Sequence, residues 1–253
     1  MEIAGALAIV TGGAAGIGRA IAIALARKGA EAVVIADLDE PGATDTVALV
    51  NEAGAIGHRF NLDVTTPPEL AQLFADVEHR FGPPNIVVNN AGIVSGSPGW
   101  PDSSLARLGR VIETNLGAVV LGTRLAVEHM RGRGGVIVNV AGAVEPGAAE
   151  HDPVYAATSA GIAAFSRSCA ALHDQLGIRV NAVAPGLVDT ALLAKTGDGV
   201  ERSAWMDRRC GELRLLRPSE VADSVVALIE HEASVGEVVE LRNERFDGAP
   251  IAR

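Results

Sequence analysis

The stretch L-A-I-V-T-G-G-A-A-G-I-G, residues 7–18, decides the fold of this chain. Residues 7–11 are apolar or β-branched and predict a buried parallel strand. Glycines follow closely, among them Gly12 and Gly16, and Gly18 leads into the helical pattern A-I-A-I-A-L-A. A strand, a glycine-rich turn and a helix N-terminus form an anion site, because free N–H groups and the positive helix end face the ligand. We therefore predict that a pyrophosphate binds here.

Composition indicates one globular domain, residues 1–253, with 48% hydrophobic residues and 29 glycines. The net charge of −10 disfavours nucleic acid and anionic membranes as partners. The chain enters a strand within a few residues, and its apolar runs are short, so we expect neither a signal peptide nor a membrane span. Only Cys169 and Cys210 are present, which favours a cytoplasmic location. We predict no metal site.

Strand-like and helical segments alternate along the chain. The predicted strands are Leu7–Thr11, Ala32–Ala36, Ile56–Leu62, Asn85–Asn89, Gly135–Val140, Arg179–Val183 and Gly236–Leu241. The predicted helices are Ile17–Lys28, Gly42–Ala53, Pro67–Phe81, Ser104–Met130, Val154–Leu176 and Pro218–His231. This alternation predicts an α/β fold, a single Rossmann-type, doubly wound parallel sheet of about seven strands. The long irregular segment, about residues 187–216, is expected to be a substrate lid.

Several motifs together resemble one enzyme family. They are T-G-x-x-x-G-x-G at Thr11–Gly18, N-N-A-G at Asn89–Gly92, and V-Y-A-A-T-S-A-G around Tyr155. With them the chain resembles a short-chain dehydrogenase/reductase over essentially its whole length. Within that family, P-V-Y-x-A at Tyr155 and P-x-x-V-A at Pro218 are most similar to the 15-hydroxyprostaglandin dehydrogenases. The resemblance implies hydride transfer between a nicotinamide dinucleotide and a small-molecule substrate.

Asp37 decides which dinucleotide is expected. It ends the second strand, nineteen residues after Gly18, where a carboxylate can accept hydrogen bonds from both ribose hydroxyls of an adenosine. The same carboxylate repels a 2′-phosphate, and neither Gly13 nor Leu38 is a basic residue. We therefore predict NAD rather than NADP.

The family pattern extends this cofactor site. The resemblance implies that Asp63 and Val64 contact the adenine, and that the segment Pro185–Thr190 borders the nicotinamide, with Thr190 bonding its carboxamide. The buried asparagine pair at Asn89 and Asn90 has a purely structural reading as well. The full predicted set is Gly12, Gly16, Ile17, Gly18, Asp37, Leu38, Asp63, Val64, Asn90, Ala91, Gly92, Tyr155, Pro185, Gly186, Val188 and Thr190.

The catalytic pattern is incomplete. Family members use an Asn, a Ser, a Tyr and a Lys; Asn115 and Tyr155 match the Asn and the Tyr. Gly142 stands at the serine position, and Ser159 stands at the lysine position. A tyrosine without a neighbouring cation has a pKa of ~10 and is roughly 0.1% ionised at pH 7. Losing the lysine and one oxyanion donor costs roughly 5–7 kcal/mol, a slowing of about 10⁴–10⁵-fold.

Three groups are candidates to replace what is missing. Lys195 lies in the lid and can swing over the nicotinamide if the lid closes, or it is simply a solvated lysine. His151 and Asp152 precede Tyr155 and form either an acid–base pair or an ordinary polar loop. Ser159 is neutral, although its hydroxyl can hold a water. Glu145 is read as a solvent-exposed residue.

Three functions remain open on the sequence. The first is an NAD(H)-dependent oxidoreductase of unusual activity on a small secondary alcohol or ketone. The second is a catalytically silent NAD-binding protein that acts as a sensor, scaffold or partner subunit, and the third is non-redox chemistry at Tyr155. The resemblance also implies a homodimer or homotetramer. The lid supplies apolar residues, such as Leu192 and Trp205, and three arginines that could meet a carboxylate, namely Arg202, Arg208 and Arg209.

Overall fold

A computed structural model describes residues 1–143 and 148–246 of the chain; Glu145 therefore lies outside the described residues. The strands are β1 (Leu7–Thr11), β2 (Ala32–Asp37), β3 (Ile56–Asn61), β4 (Ile86–Asn89), β5 (Gly135–Val140), β6 (Ile178–Pro185), β7 (Leu213–Arg214), β8 (Val238–Leu241) and β9 (Glu244–Arg245). The α-helices are α1 (Gly16–Arg27), α2 (Glu40–Glu52), α3 (Pro67–Phe81), α4 (Leu105–Ile112), α5 (Ala118–Met130), α6 (Ala148–His151), α7 (Pro153–Ser168), α8 (Ala171–Leu176), α9 (Ala204–Glu212) and α10 (Pro218–Glu230).

Seven parallel strands form one sheet in the order β3-β2-β1-β4-β5-β6-β8, which confirms the predicted fold class. Helices cover both faces, so the central strands are buried on both sides; Ile9 and Val34 have no exposed surface. The chain leaves β1 towards β2 and later crosses back to β4 on the other side of β1. This topological switch point opens a crevice at the carboxyl ends of β1 and β4, where such sheets bind ligands.

Two predicted helices are less regular than the sequence indicated. The segment Ser104–Met130 contains a π-helical turn, Glu113–Gly117, between α4 and α5. The segment Val154–Leu176 is divided into α7 and α8 at Cys169 and Ala170. The loop before β8 lies close to the break between the two helices. A β-carbon on Gly236 of that loop would lie 3.0 Å from the Ala170 side chain.

The segment predicted as an irregular lid has structure of its own. It contains a 3-10 helix, Ala191–Thr196, followed by α9 and β7. Two sets of contacts join its ends. Val188 forms a β-bridge with Leu216, and the Asn243 side chain hydrogen-bonds the backbone of Leu187 at one end and of Arg214 at the other. Asn243 accepts from the Leu187 N–H at 2.6 Å and donates to the Leu187 carbonyl at 2.8 Å. The lid is thus a closed loop fixed at its base.

Across the described residues, no helix combines the length and the hydrophobicity needed to cross a membrane.

Candidate active site

A cavity of about 450 Å³ lies at the switch point of the sheet. With one exception, it is lined by every residue that the sequence analysis placed in the cofactor and catalytic sites. The exception is Gly18, which does not border the cavity. The volume is within the range of small-molecule sites. The fold therefore brings residues from separate segments between Gly12 and Met206 to one crevice.

Two glycines of the β1–α1 turn are required by the packing of the protein itself. Gly12 has a φ of +64°, and a β-carbon on it would lie 2.8 Å from the Ala91 Cα. A β-carbon on Gly18 would overlap the Gly12 carbonyl oxygen. Gly12 and Gly18 are therefore required by contacts within the protein. Access for a ligand remains at the start of α1, where Ala15 is the N-cap and no side chain caps the helix.

The Asp37 carboxylate lies beside this turn at the end of β2. Its Oδ2 accepts a hydrogen bond from the Ala14 N–H at 2.9 Å, and its Oδ1 accepts one from the Asp39 N–H at 3.0 Å. A carboxylate has about four acceptor positions, so each oxygen keeps capacity for a further donor. Asp37 also lines the cavity. Its side chain is therefore held in place and available to ribose hydroxyls.

Asp63 has partners that the sequence did not reveal. Its Oδ2 lies 2.6 Å from an Arg110 guanidinium nitrogen, and its Oδ1 accepts from the Thr65 N–H and hydroxyl at 2.9 and 2.7 Å. Burial opposes ionisation, but these hydrogen bonds prevail and hold the pKa of Asp63 below its usual value. Arg110 also lines the cavity. Nothing in the local sequence marked Arg110, because it lies on an amphipathic helix distant in sequence from Asp63.

The two asparagines of the N-N-A-G segment have different roles. Asn89 is buried, and its amide donates to Asn139 at 2.8 Å and to Thr123 at 3.2 Å. The Asn90 amide donates to the carbonyls of Thr11 and Gly12, each at 3.0 Å. Asn89 is thus a sheet-stabilising residue, whereas Asn90 fastens the glycine-rich turn and borders the cavity.

Asn115 lies in the π-helical turn, an irregularity that is frequent at functional sites. Its Oδ1 accepts from the Ile93 N–H, and its Nδ2 donates to the Ile93 carbonyl, both at 2.8 Å. The Nδ2 is also 3.5 Å from the Thr158 hydroxyl on α7. Asn115 therefore joins the loop after β4 to the helix that carries Tyr155.

Tyr155 is half-buried and packs over Gly142. Its hydroxyl lies 2.8 Å from the point where a β-carbon on Gly142 would stand. Burial raises the pKa of Tyr155, the Asp152 carboxylate raises it further, and a hydrogen bond with Ser159 lowers it in part. Tyr155 is therefore a neutral hydrogen-bond donor at pH 7.

Asp152, His151 and Lys195, three of the residues considered as replacements, do not point to the Tyr155 hydroxyl as catalytic partners. Asp152 is the N-cap of α7, where its carboxylate accepts from the Tyr155 N–H at 3.0 Å and from the Ser95 hydroxyl at 2.7 Å. His151 is exposed and stacks on Trp205 of the lid, with ring centroids 4.6 Å apart. Lys195 is exposed and does not line the cavity. In this arrangement, none of the three is placed to ionise Tyr155.

The lid segment, residues 187–216, lines part of the cavity with apolar side chains. These are Ala191, Leu192, Leu193, Trp205 and Met206. Arg202, Arg208 and Arg209 do not line it. Arg209 is instead paired with Glu212 at 3.3 Å.

Comparisons with known proteins agree with this geometry. A family model described as enoyl-(acyl carrier protein) reductase matches residues 12–239. A cis-4-hydroxycyclohexanecarboxylate dehydrogenase of Sinomonas cyclohexanicum is 39% identical over 90% of this chain and 90% of its own length. The human 15-hydroxyprostaglandin dehydrogenase [NAD(+)] is 31% identical over 97% of this chain and 94% of its own length.

A solved structure of an actinorhodin polyketide ketoreductase with NADPH is also similar. It is 31% identical, has a TM-score of 0.82, and the match covers 95% of this chain and 96% of that one. The 15-hydroxyprostaglandin dehydrogenases are thus relatives, although the bacterial dehydrogenase is more similar in sequence. Members of this family bind a nicotinamide cofactor. The matched residues, the sheet and the crevice together show that the chain belongs to the short-chain dehydrogenase/reductase family.

Proposed function

We propose that this protein is an NAD(H)-dependent oxidoreductase that acts on a small secondary alcohol or ketone, with Tyr155 as the group that exchanges the proton. The proposal rests mainly on one observation. A single cavity runs from the carboxylate of Asp37 to the hydroxyl of Tyr155, and the residues between them are those predicted to hold a dinucleotide. Binding of the adenosine end alone would not require the part that reaches Tyr155.

The cofactor is assigned to named groups of the chain. The uncapped N-terminus of α1, at Gly16 and Ile17, faces the cavity and would receive the pyrophosphate. Asp37 would accept the ribose hydroxyls, and Thr190 would bond the carboxamide of the nicotinamide. When bound, the cofactor supplies or accepts a hydride. The remaining binding residues follow the family pattern given above.

NAD is favoured over NADP by the charges around the ribose. Asp37 and Asp39 both line the cavity there. Arg110 lines it as well, but its guanidinium is paired with the Asp63 carboxylate. A 2′-phosphate would therefore meet unpaired negative charge beside Asp37. One relative is named for NAD(+), and one similar structure contains NADPH. The preference for NAD is therefore argued from the charges of this chain and not from its relatives.

Tyr155 acts as a proton donor to a carbonyl oxygen in this proposal. A neutral phenol can donate its proton as hydride reaches the carbonyl carbon, and water from the open cavity returns that proton afterwards. The reverse reaction requires the phenolate, which the raised pKa makes scarce. Ketone reduction at neutral pH is therefore the better supported direction.

A catalytically silent NAD-binding protein is the second candidate, and a specific observation favours it. The residue at position 142 is a glycine against the Tyr155 ring, and the buried residue four positions after Tyr155 is a serine. The chain then lacks one oxyanion donor and the cation that would ionise Tyr155. Such a protein would bind the cofactor at full strength without turning over.

Turnover measurements decide between the two candidates. NADH consumption is followed with a panel of ketones, and NADH production with the matching secondary alcohols, for the natural chain and for Gly142→Ser combined with Ser159→Lys. Turnover by the natural chain supports the oxidoreductase. Turnover by the double variant alone supports the silent protein, and a natural chain that binds no dinucleotide contradicts both.

Assembly and location belong to the same proposal. Ile112, Val120 and Leu121 on α4 and α5 are large hydrophobic residues with exposed surface, which is typical of a face that a second copy covers. A homodimer or homotetramer is therefore proposed, in agreement with the family resemblance. Free Cys169 and Cys210 favour a reducing, cytoplasmic location.

A further inference from the structure

The lid end of the cavity presents almost no free polar group to a ligand. Its walls come from the loop after β4, the loop after β5 and the lid. The side chains that line it are Ile93, Val94, Ala141, Ala143, Leu192, Leu193, Trp205 and Met206. Leu193 and Met206 are buried, so they are fixed walls rather than mobile surface residues.

The polar side chains at this end are already bonded to the protein. The Thr196 hydroxyl donates to the Leu193 carbonyl at 2.7 Å and accepts from Ser203. Both oxygens of Asp152 accept from Ser95, at 2.7 and 2.8 Å. In the part of the chain that the structure describes, the hydroxyls of Tyr155 and Ser159, which share a hydrogen bond, remain as the anchor for one polar atom of a ligand.

The charge at this end is negative. Asp152 lines the cavity, and its carboxylate is close enough to Tyr155 to raise the pKa of that hydroxyl. The lid cations Lys195, Arg202 and Arg208 are absent from the lining among the described residues. A carboxylate that entered here would lose its water and, among the described side chains that line this end, would meet only a like charge.

We infer that the substrate of this site is an uncharged, apolar ketone or the corresponding alcohol, and that carboxylate-bearing substrates are excluded. This inference rests on the proposed function, because it places the reacting carbonyl at Tyr155. Selectivity arises from the unpaired charge that a carboxylate would have beside the lid, rather than from the size of the cavity. Apolar parts of the substrate contact Leu192, Trp205 and Met206.

A matched pair of ketones tests the inference by binding alone. The full-length protein is saturated with NAD⁺, with which a ketone cannot react, and is titrated calorimetrically with methyl 4-oxocyclohexanecarboxylate and with the free 4-oxocyclohexanecarboxylate. The neutral ester is expected to bind about a hundred-fold more tightly than the anion, because the two differ by one buried charge. A preference for the ester of tenfold or more supports the inference, and a smaller preference or a reversed one overturns it.

A cation introduced into the lid tests the same inference in the opposite direction, by favouring the anionic ketone. Leu192→Arg introduces a cation into the lining, and the affinity for the anion is expected to rise about tenfold or more while that for the ester does not increase. Val200→Arg is the matched control, because Val200 is 86% exposed, belongs to the lid and does not line the cavity. Equal effects of the two variants on the anion overturn the inference.

The remaining outcomes separate the inference from the proposed function. If NAD⁺ binds and neither the ester nor simple cycloalkanones bind, the assigned substrate class is wrong while cofactor binding stands. If NAD⁺ itself does not bind, the proposed function fails, and the inference that rests on it fails as well.

Discussion

The hydroxyl of Tyr155 occupies the space beside Gly142 that a side chain at that position would need. A β-carbon at position 142 would be 2.8 Å from the tyrosine oxygen and 2.9 Å from its Cε1. Such contacts are closer than packed atoms allow, so Gly142 and the present position of Tyr155 depend on each other. A serine at position 142 would therefore require Tyr155 to move.

Ser159→Lys alone is expected to increase alcohol oxidation. A cation beside Tyr155 lowers its pKa by charge proximity, and about two pKa units give about a hundred-fold more phenolate at pH 7. Gly142→Ser alone is expected to add far less, because the new side chain must first displace the tyrosine ring. The measurement is kcat/KM for NADH production by both single variants and the double variant. Equal gains from the two single variants would contradict this account.

The two directions of the reaction are expected to differ in pH dependence. Because burial and Asp152 raise the pKa of Tyr155, the phenolate fraction is small at neutral pH and grows about tenfold per pH unit up to that pKa. Oxidation should therefore keep rising through pH 10, whereas reduction, which uses the neutral phenol, should stay level. Tyr155→Phe should abolish both activities and weaken NADH binding by no more than about tenfold, because it removes at most one hydrogen bond to the cofactor. An oxidation rate that levels off near pH 7 would show that Tyr155 is ionised by a group not identified here.

Asp37→Ser is expected to change the choice of cofactor. The loss of a carboxylate that accepts ribose hydroxyls should weaken NADH binding about ten- to a hundred-fold. NADPH binding should weaken less or improve, because the repulsion of its 2′-phosphate disappears. Asp45→Asn removes the same charge from an exposed position of α2 and should change neither affinity. An unchanged ratio of NADH to NADPH affinity in Asp37→Ser would remove Asp37 from the cofactor site.

Arg179 should contribute strongly to stability. It is 5% exposed, and its guanidinium donates to the carbonyls of Leu228 (2.9 Å), Ile229 (2.6 Å), His231 (3.1 Å) and Ser234 (2.9 Å). It thereby caps the C-terminus of α10 from β6. Arg179→Met leaves these carbonyls without that partner and should lower the free energy of unfolding by about 3 kcal/mol in urea denaturation.

Arg124→Met is the control for that measurement. Arg124 and Glu128 form an exposed pair on α5, with 66% and 58% of their side-chain surfaces accessible. Such a pair contributes about 0.5 kcal/mol or less. If both arginine variants lose the same stability, the capping role of Arg179 is wrong.

The stack of His151 on Trp205 should affect the substrate and not the cofactor. It joins the segment before α7 to α9 of the lid. A stacked ring pair of this kind contributes about 0.5–1.5 kcal/mol, so His151→Ala should raise the substrate KM about two- to tenfold. NADH affinity should not change. His173→Ala on α8 removes a partly exposed histidine outside the cavity and should leave KM as it was.

Much of the fold could be predicted from the sequence because its signals are local. The apolar runs of β1 and β5 and the helix α3 have the predicted bounds, since proline, glycine and periodicity mark their ends. The division at Cys169 could not be predicted, because the segment has helical periodicity throughout and the contact with Gly236 is distant in sequence. The helix α9 in the lid was missed for a similar reason, since only Met206 of its residues is buried.

The sequence predicted which residues would lie at the site, but it did not predict the contacts that they make there. Motif spacing placed Asp37 and Tyr155 at the cavity, as the structure has them. Spacing could not reveal that Arg110 would pair with Asp63, nor that Asp152 would cap α7. Each of these is a contact between side chains whose direction is set by tertiary packing. Which of the assigned residues bind the cofactor stays a prediction for the variants above.

A calorimetric titration of the natural chain with NADH, and separately with NADPH, tests the central claim most directly. The account predicts saturable binding of one NADH per chain and at least about tenfold weaker binding of NADPH, because the proposed cofactor position puts the 2′-phosphate beside the Asp37 carboxylate. An absence of NADH binding, or tighter binding of NADPH than of NADH, would contradict it.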